Sequence, residues 1–362
     1  MEFNQFVDEV KGGIKLFLPR EYENAQIRIE EVRKLNENYL GITVLKENQI
    51  MAPTFNLNQL YEMYQSNPEV SMESIMKNIT GVMLDSPKQF DLKNITEYEN
   101  AKDKLFIRVS SAERNQEILQ KVPHQMREDL AITYHLAISV DDIGRGSTTI
   151  TNDMLTHYGI SEKQLHADAM KNSPKIMPLH VDAMKNIIAQ IIVGENKPLM
   201  QDKDLKDMRE VISEGLKEGE PMFVITNEQT MDGASAIFYP EVMKQLGECF
   251  QGDFYILPSS IHETIVLPDK GDFDYLSLKS MVQEINSSQV LKEEQLTSEV
   301  YHYDAKQRVF ERADKFEKRQ KVIQMNKNEK AGREQKMKHP KPKKHDMEDT
   351  CRTNEWAQIG WI

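Results

Sequence analysis

The segment Pro258-Ser259-Ser260-Ile261-His262-Glu263 gathers hydroxyls, an imidazole and a carboxylate in one short stretch. These are the ingredients of nucleophilic or acid–base chemistry, with Ser260 as nucleophile or hydrogen-bond donor and His262 as base. Spacing limits the idea. On a strand, Ser260 and His262 share one face while Glu263 turns to the other with Ile261 and Ile265, so Glu263 cannot orient His262 as a triad carboxylate does. The plainer reading is a turn between strands, in which Ser259 and Ser260 bond backbone amides and His262 braces the loop. A second candidate lies upstream, where Thr226-Asn227 and Asp232-Gly233-Ala234 stand between a strand and a helix. Free amides at a helix start bind anions, and Asn227 would act there as an electrophilic stabiliser. Turn chemistry alone also accounts for Asn, Asp and Gly at such a place. The candidate ligand contacts are therefore Asn227, Gly233, Ser259, Ser260, His262 and Glu263, with Ser260 and His262 the catalytic pair if there is one.

Other motifs are weaker. Gly144-Arg145-Gly146-Ser147-Thr148-Thr149 looks superficially like a phosphate loop but lacks the Lys-Ser/Thr ending and the strand-loop-helix setting, and reads as a polar hairpin loop. The heptapeptides His166–Asn172 and His180–Asn186 are nearly identical. A metal site would need both His and both Asp residues, yet His and Asp two apart on a helix diverge by about 200°, and Pro174 and Pro178 intervene. There is no His-Glu-x-x-His, no paired-cysteine motif and no dinucleotide glycine fingerprint. The expectation is no metal and no cofactor.

The elements that must position these residues follow from periodicity. Phe3, Phe6, Val7, Val10, Ile14 and Phe17 keep helical spacing until Pro19. Ile27 to Phe55 reads as a meander of short antiparallel strands around an Asn36-Glu37-Asn38 turn. Helices follow over Asn58–Tyr64 and from a Ser71 cap to Leu84. Leu130–Val140 alternates at strand period, Thr151 and Ser161 cap two helices, and Gly159 closes the first. A charged helix over Asp204–Leu216 precedes strand Met222–Thr226, helix Pro240–Phe250, strands Phe254–Leu257 and Thr264–Leu267, helix Asp274–Ile285 and a hairpin over Val300–Glu311. The fold class is α+β, with short antiparallel strand meanders packed with helices in two units, 1–125 and 126–312, followed by a basic, poorly ordered tail over 313–362.

Several blocks occur in one order: Phe3-Asn4-Gln5-Phe6, Ala52-Pro53-Thr54, Asn115, His124, Asp129-Leu130-Ala131, Tyr134, Met222–Asn227, Gly233–Ala236, Tyr239–Met243, Asp253–Glu263 and Val300-Tyr301. Through them the chain resembles domain of unknown function family 5688, a bacterial family, over residues 1 to about 312. The resemblance implies a shared fold and a bacterial intracellular setting, and brings no catalytic residues with it.

Composition bounds the rest. With 362 residues, 39% hydrophobic and 29% charged, the chain is apolar enough to fold and long enough for about two domains. A net charge of −12 argues against a surface that grips nucleic acid or anionic lipid throughout. Cys249 and Cys351 stand far apart, the N-terminus lacks a basic segment followed by an apolar run, and Ile187–Val193 is too short to span a bilayer, so the expectation is a cytoplasmic protein with no membrane. Residues 312–344 hold thirteen Lys or Arg against four Asp or Glu, a net of +9 that leaves −21 on the remainder. That stretch can contact nucleic-acid phosphates, although stacking aromatics are scarce, and a solvated tail explains it equally. The leading expectation is a non-catalytic binding or adaptor protein for an unknown protein or small molecule. The alternatives are a hydrolase- or transferase-like enzyme at Asn227, Ser260 and His262, or nucleic-acid contact through 312–344.

Overall fold

The computed structural model describes residues 1–47, 52–85, 93–141, 144–193, 207–258 and 260–338. Ser259, Cys351, Trp356 and Trp361 therefore lie outside the described residues. The contacts divide the chain into a compact unit, Met1–Asp314, and a second unit from Lys315. The architecture is α+β, with every strand pairing antiparallel.

The N-terminal residues build their own apolar cluster. Helix Phe3–Gly13 passes into a 3₁₀ turn, Ile14–Phe17, ahead of Pro19. It packs Phe6, Val7, Val10 and Ile14 with Ile42 and Val44 of a three-stranded sheet and with Leu57, Ile75 and Ile79 of two helices. The sheet order is β1 (Gln26–Lys34), β2 (Glu37–Leu45) and β3 (Thr54–Asn56). Asn36, at φ 65°, makes the tight β1–β2 turn, and its amide donates to Asn115 Oδ1 at 2.6 Å. Asn56 caps helix Leu57–Ser66 by accepting from the amides of Asn58 and Gln59.

Two further sheets share one larger core. In the first, β6 (Leu130–Asp141) lies between β4 (Leu105–Ser111) on one side and β5 (His124–Arg127) and β7 (Gly144–Thr149) on the other. Gly144–Thr149 is thus a strand rather than the loop its composition suggests, because ladder pairing to β6 from His135↔Thr149 onward satisfies its backbone. The division expected at residues 125/126 falls inside β5, between two strands that pair from Leu105↔Leu136 to Ser111↔Leu130. Helix Glu162–Ile176, capped by Ser161, covers this sheet with Leu165 and Ala169.

The second is six-stranded, in the order β13 (Val309–Arg312), β12 (Tyr301–Asp304), β10 (Phe254–Leu257), β11 (Thr264–Pro268), β9 (Phe223–Asn227) and β8 (Leu179–Ala183). Phe223, Ile225, Phe254, Ile256, Val266 and Tyr301 face the large core, while Val224, Tyr255, Leu257, Ile265 and Leu267 face Leu278 and Val282 of helix Tyr275–Ser288. Both faces are buried, so these strands read as continuous apolar runs instead of alternating ones. Asp274 caps that helix through the amides of Leu276 and Ser277.

The nearly identical heptapeptides take different structures. His166–Asn172 lies within helix Glu162–Ile176, while His180 and Asp182 lie on β8 and Met184 opens helix Met184–Val193. His166 Nδ1 meets the Tyr134 hydroxyl at 3.0 Å, Asp168 accepts from the Tyr98 hydroxyl, and Asp182 accepts from Asn186 Nδ2 at 2.7 Å. Among the described residues no group of three or more His, Cys, Asp and Glu side chains is placed to hold a metal ion. Helix Ala313–Lys338 begins at the end of the first unit and runs past Lys327, where the apolar stripe fades, because Lys, Gln, Glu and Met are good helix formers and pairs such as Glu317–Lys321 at 3.4 Å add local support. No helix among the described residues is long and apolar enough to cross a membrane.

Candidate functional site

The loops after β9 and before β11 come together, so the structure joins most of the residues singled out by type. Asn227 ends β9 fully buried, and its side chain is committed locally: Nδ2 donates to Met231 O at 2.7 Å and Oδ1 accepts from Gln229 N at 3.0 Å. Thr230 and Asp232 both take positive φ, 53°, to turn the chain within this loop. Gly233 then presses against the neighbouring loop so closely that an added Cβ would stand 2.1 Å from Thr226 Oγ1 and 2.4 Å from His262 O. Only glycine permits that approach.

His262 is held from both sides. Asp232 N–H donates to its Nδ1 at 3.2 Å, which leaves the proton on Nε2, and Nε2 faces Glu294 Oε1 at 3.4 Å. Its carbonyl accepts from Thr226 Oγ1 at 2.7 Å. Ser260, 5% exposed, accepts the His262 backbone N–H at 3.0 Å. Ser260 thus serves the backbone of His262, and its Oγ has no described hydrogen bond to the imidazole. Glu263 is half-buried, and residues 260–263 form a bent loop ahead of β11 rather than a strand, so strand parity does not set its direction relative to His262. Beside this loop Asp232 pairs with Arg108 at 3.0 Å, and the same guanidinium donates to Ser147 at 3.1 Å and stacks over Phe106. Both members of that pair are largely shielded, and buried His135 lies close by on the same sheet face as Arg108. Burial first, and the Arg108 charge second, hold the His135 imidazole well below its usual range.

A concave site lies elsewhere in the same unit. A cavity of about 740 Å³ is walled by β5 and its turn (Met126, Arg127, Glu128), by Met170 of helix Glu162–Ile176, by Ile237–Glu241, Met243 and Lys244, and by Tyr303 and Arg308–Phe310 of the final hairpin. Its floor is aromatic and apolar: Ile132, Ile237, Phe238, Tyr239 and Tyr303 are buried. Phe310 stacks on Tyr301 with ring centroids 4.9 Å apart and meets Phe238 edge-on at 5.4 Å.

The rim is charged and conformationally set. Glu128, Glu241 and Arg308, at φ 58°, 65° and 57°, are three non-glycine residues in the left-handed region, and each closes a separate turn at the groove. Such backbone costs roughly 1 kcal/mol per residue and persists where surrounding structure enforces it. Glu241 bonds Lys244 at 2.6 Å, and that hydrogen bond, with the Lys244 and Arg308 charges, holds its carboxyl below the usual range. Burial pushes the Tyr303 phenol up.

Sequence reasoning missed this groove. Its residues come from four distant segments, and the signals were indirect: a two-residue turn at Glu128-Asp129, Tyr239–Met243 among the ordered blocks, and a hairpin rich in aromatics.

An α+β body whose two antiparallel sheets and a helix frame an aromatic-floored, charge-rimmed groove is the class of molecule that fold and site define. The chain belongs to the Family of unknown function (DUF5688), whose profile matches residues 3–305. No curated protein and no solved structure matches it.

Proposed function

We propose that this is a binding or adaptor protein that recognises its ligand in the groove between β5, Tyr239–Lys244 and β13, without transforming it. The observation that carries the reading is the lining itself, an aromatic and methionine floor under a rim of Arg, Lys and Glu, with a volume of about 740 Å³. That size and mixture suit recognition, since ligand sites are concave, mostly apolar and oriented by a few polar groups. The loops of Asn227, Gly233, Ser260 and His262 support the fold behind the site in this reading, because their polar atoms already bond backbone groups and Glu294. A cytoplasmic setting accords with a chain of only two cysteines.

The test is a thermal-shift screen of small molecules and short peptides on wild type and Met126→Trp. Met126 is 50% exposed on the groove wall, so an indole there fills the cavity without disturbing the core. Hits that raise Tm in wild type and lose the shift in Met126→Trp support the reading. Hits indifferent to Met126→Trp but abolished by His262→Ala would move the site to the loops and refute it.

A further inference from the structure

Arg127, at the end of β5, and Arg308, in the β12–β13 turn, reach the groove from two different sheets, and neither guanidinium makes an ion pair or hydrogen bond among the described residues. The neighbouring charges are already arranged: Glu241 is bonded to Lys244. Cations outnumber carboxylates along the lining, Arg127, Lys244 and Arg308 against Glu128 and Glu241. This stands out on a chain with a net charge of −12 whose positive excess is otherwise concentrated in residues 312–344. The lining thus carries a net charge of +1, and low-dielectric walls strengthen the pull of that excess on an opposite charge.

We propose that the ligand of this groove carries an oxyanion, a carboxylate or phosphoryl group, held between Arg127 and Arg308, beside an aromatic or aliphatic portion laid against Phe310 and Tyr303. The inference rests on the binding reading above and specifies its chemistry. Guanidinium forks match planar carboxylates and phosphoryl oxygens through paired N–H donors, which a lysine rim would not do. Both arginines gain by it, since each exchanges water for a charge-assisted hydrogen bond next to low-dielectric aromatic surface. The positive φ of Arg308 fixes where its side chain leaves the hairpin. β5 and β13 are terminal strands in their sheets, and an acid of this kind can be a free small molecule or the end of a peptide.

Calorimetric titration of the full chain at low salt tests this with three anionic probes: N-acetylphenylalanine for a small carboxylate, acetyl-Gly-Gly-Phe for a peptide C-terminus, and phenyl phosphate for a phosphoryl group. Their neutral counterparts are the two amides and phenol. Each anion should bind at least about tenfold tighter than its counterpart and weaken as salt rises. Arg127→Gln and Arg308→Gln together should remove the preference, whereas Arg33→Gln, on the distant β1, should leave it. The tightest of the three identifies the source of the anion. Neutral probes that bind as well as the anions, or a preference that survives the double substitution, overturn the inference and leave the binding reading standing. If none of the six probes binds, both fall.

Discussion

Replacing Gly233 by alanine isolates the contact on which the paired loops depend. The new methyl would lie 2.1 Å from Thr226 Oγ1, 2.4 Å from His262 O and 2.7 Å from Asn227 N, all well inside van der Waals contact. Two of those atoms are backbone, and Thr226 Oγ1 is tied to the same carbonyl, so nothing at the site can swing aside. Overpacking of this kind costs about 1–3 kcal/mol, and the backbone clash places Gly233→Ala at the upper end. Gly81 is the natural control. It lies inside helix Met72–Asp85 with open space around its Cα, so Gly81→Ala should stabilise by up to about 1 kcal/mol through helix propensity. Urea unfolding followed by circular dichroism reads both, as opposite shifts of the midpoint with the slope unchanged. A Gly233→Ala protein that unfolds within about 0.5 kcal/mol of wild type would refute the close-packed account of these loops.

Acid should destabilise the fold before its carboxylates titrate. Burial holds His135, His166 and His180 below the ordinary histidine range near 6.5, so as pH falls through that range the unfolded chain takes up protons that the native state refuses. For fully buried His135 the loss is about 1.4 kcal/mol per pH unit until its folded pKa is reached. Asp269, whose carboxyl is lowered chiefly by its hydrogen bond to His302, adds loss in the same direction but only below about 3.8. Denaturant titrations at pH 7 and 5.5 that give equal stabilities would contradict this assignment. Tyr301→Phe removes the hydroxyl that bonds Asp129 Oδ1 at 2.8 Å while keeping the stack on Phe310. It should cost about 1–3 kcal/mol, since the lost partner is a carboxylate, and an unchanged unfolding midpoint would show that the clasp is dispensable.

What the sequence determined by itself is what depends on neighbours along the chain. The caps at Thr151 and Ser161, the closing Gly159, and strands over Phe254–Leu257 and from Thr264 follow from local hydrogen bonding and apolar runs, and the structure has them there. The Asn227, Gly233 and His262 loops were legible as turn chemistry for the same reason. Their proximity was not, because it rests on Asp232 and Glu294, each about thirty residues from His262. Tertiary context also placed one heptapeptide in a helix and its near copy across a strand and a helix start, since β9 offers ladder partners only to the second. The groove was the least visible feature. Arg127, Glu241 and Arg308 are unremarkable surface residues in the sequence, and only the packing of two sheets around Tyr239 and Phe310 brings their turns to one rim. Short-range patterns encode elements, whereas a binding surface made from distant turns exists only once the core that separates those elements has formed.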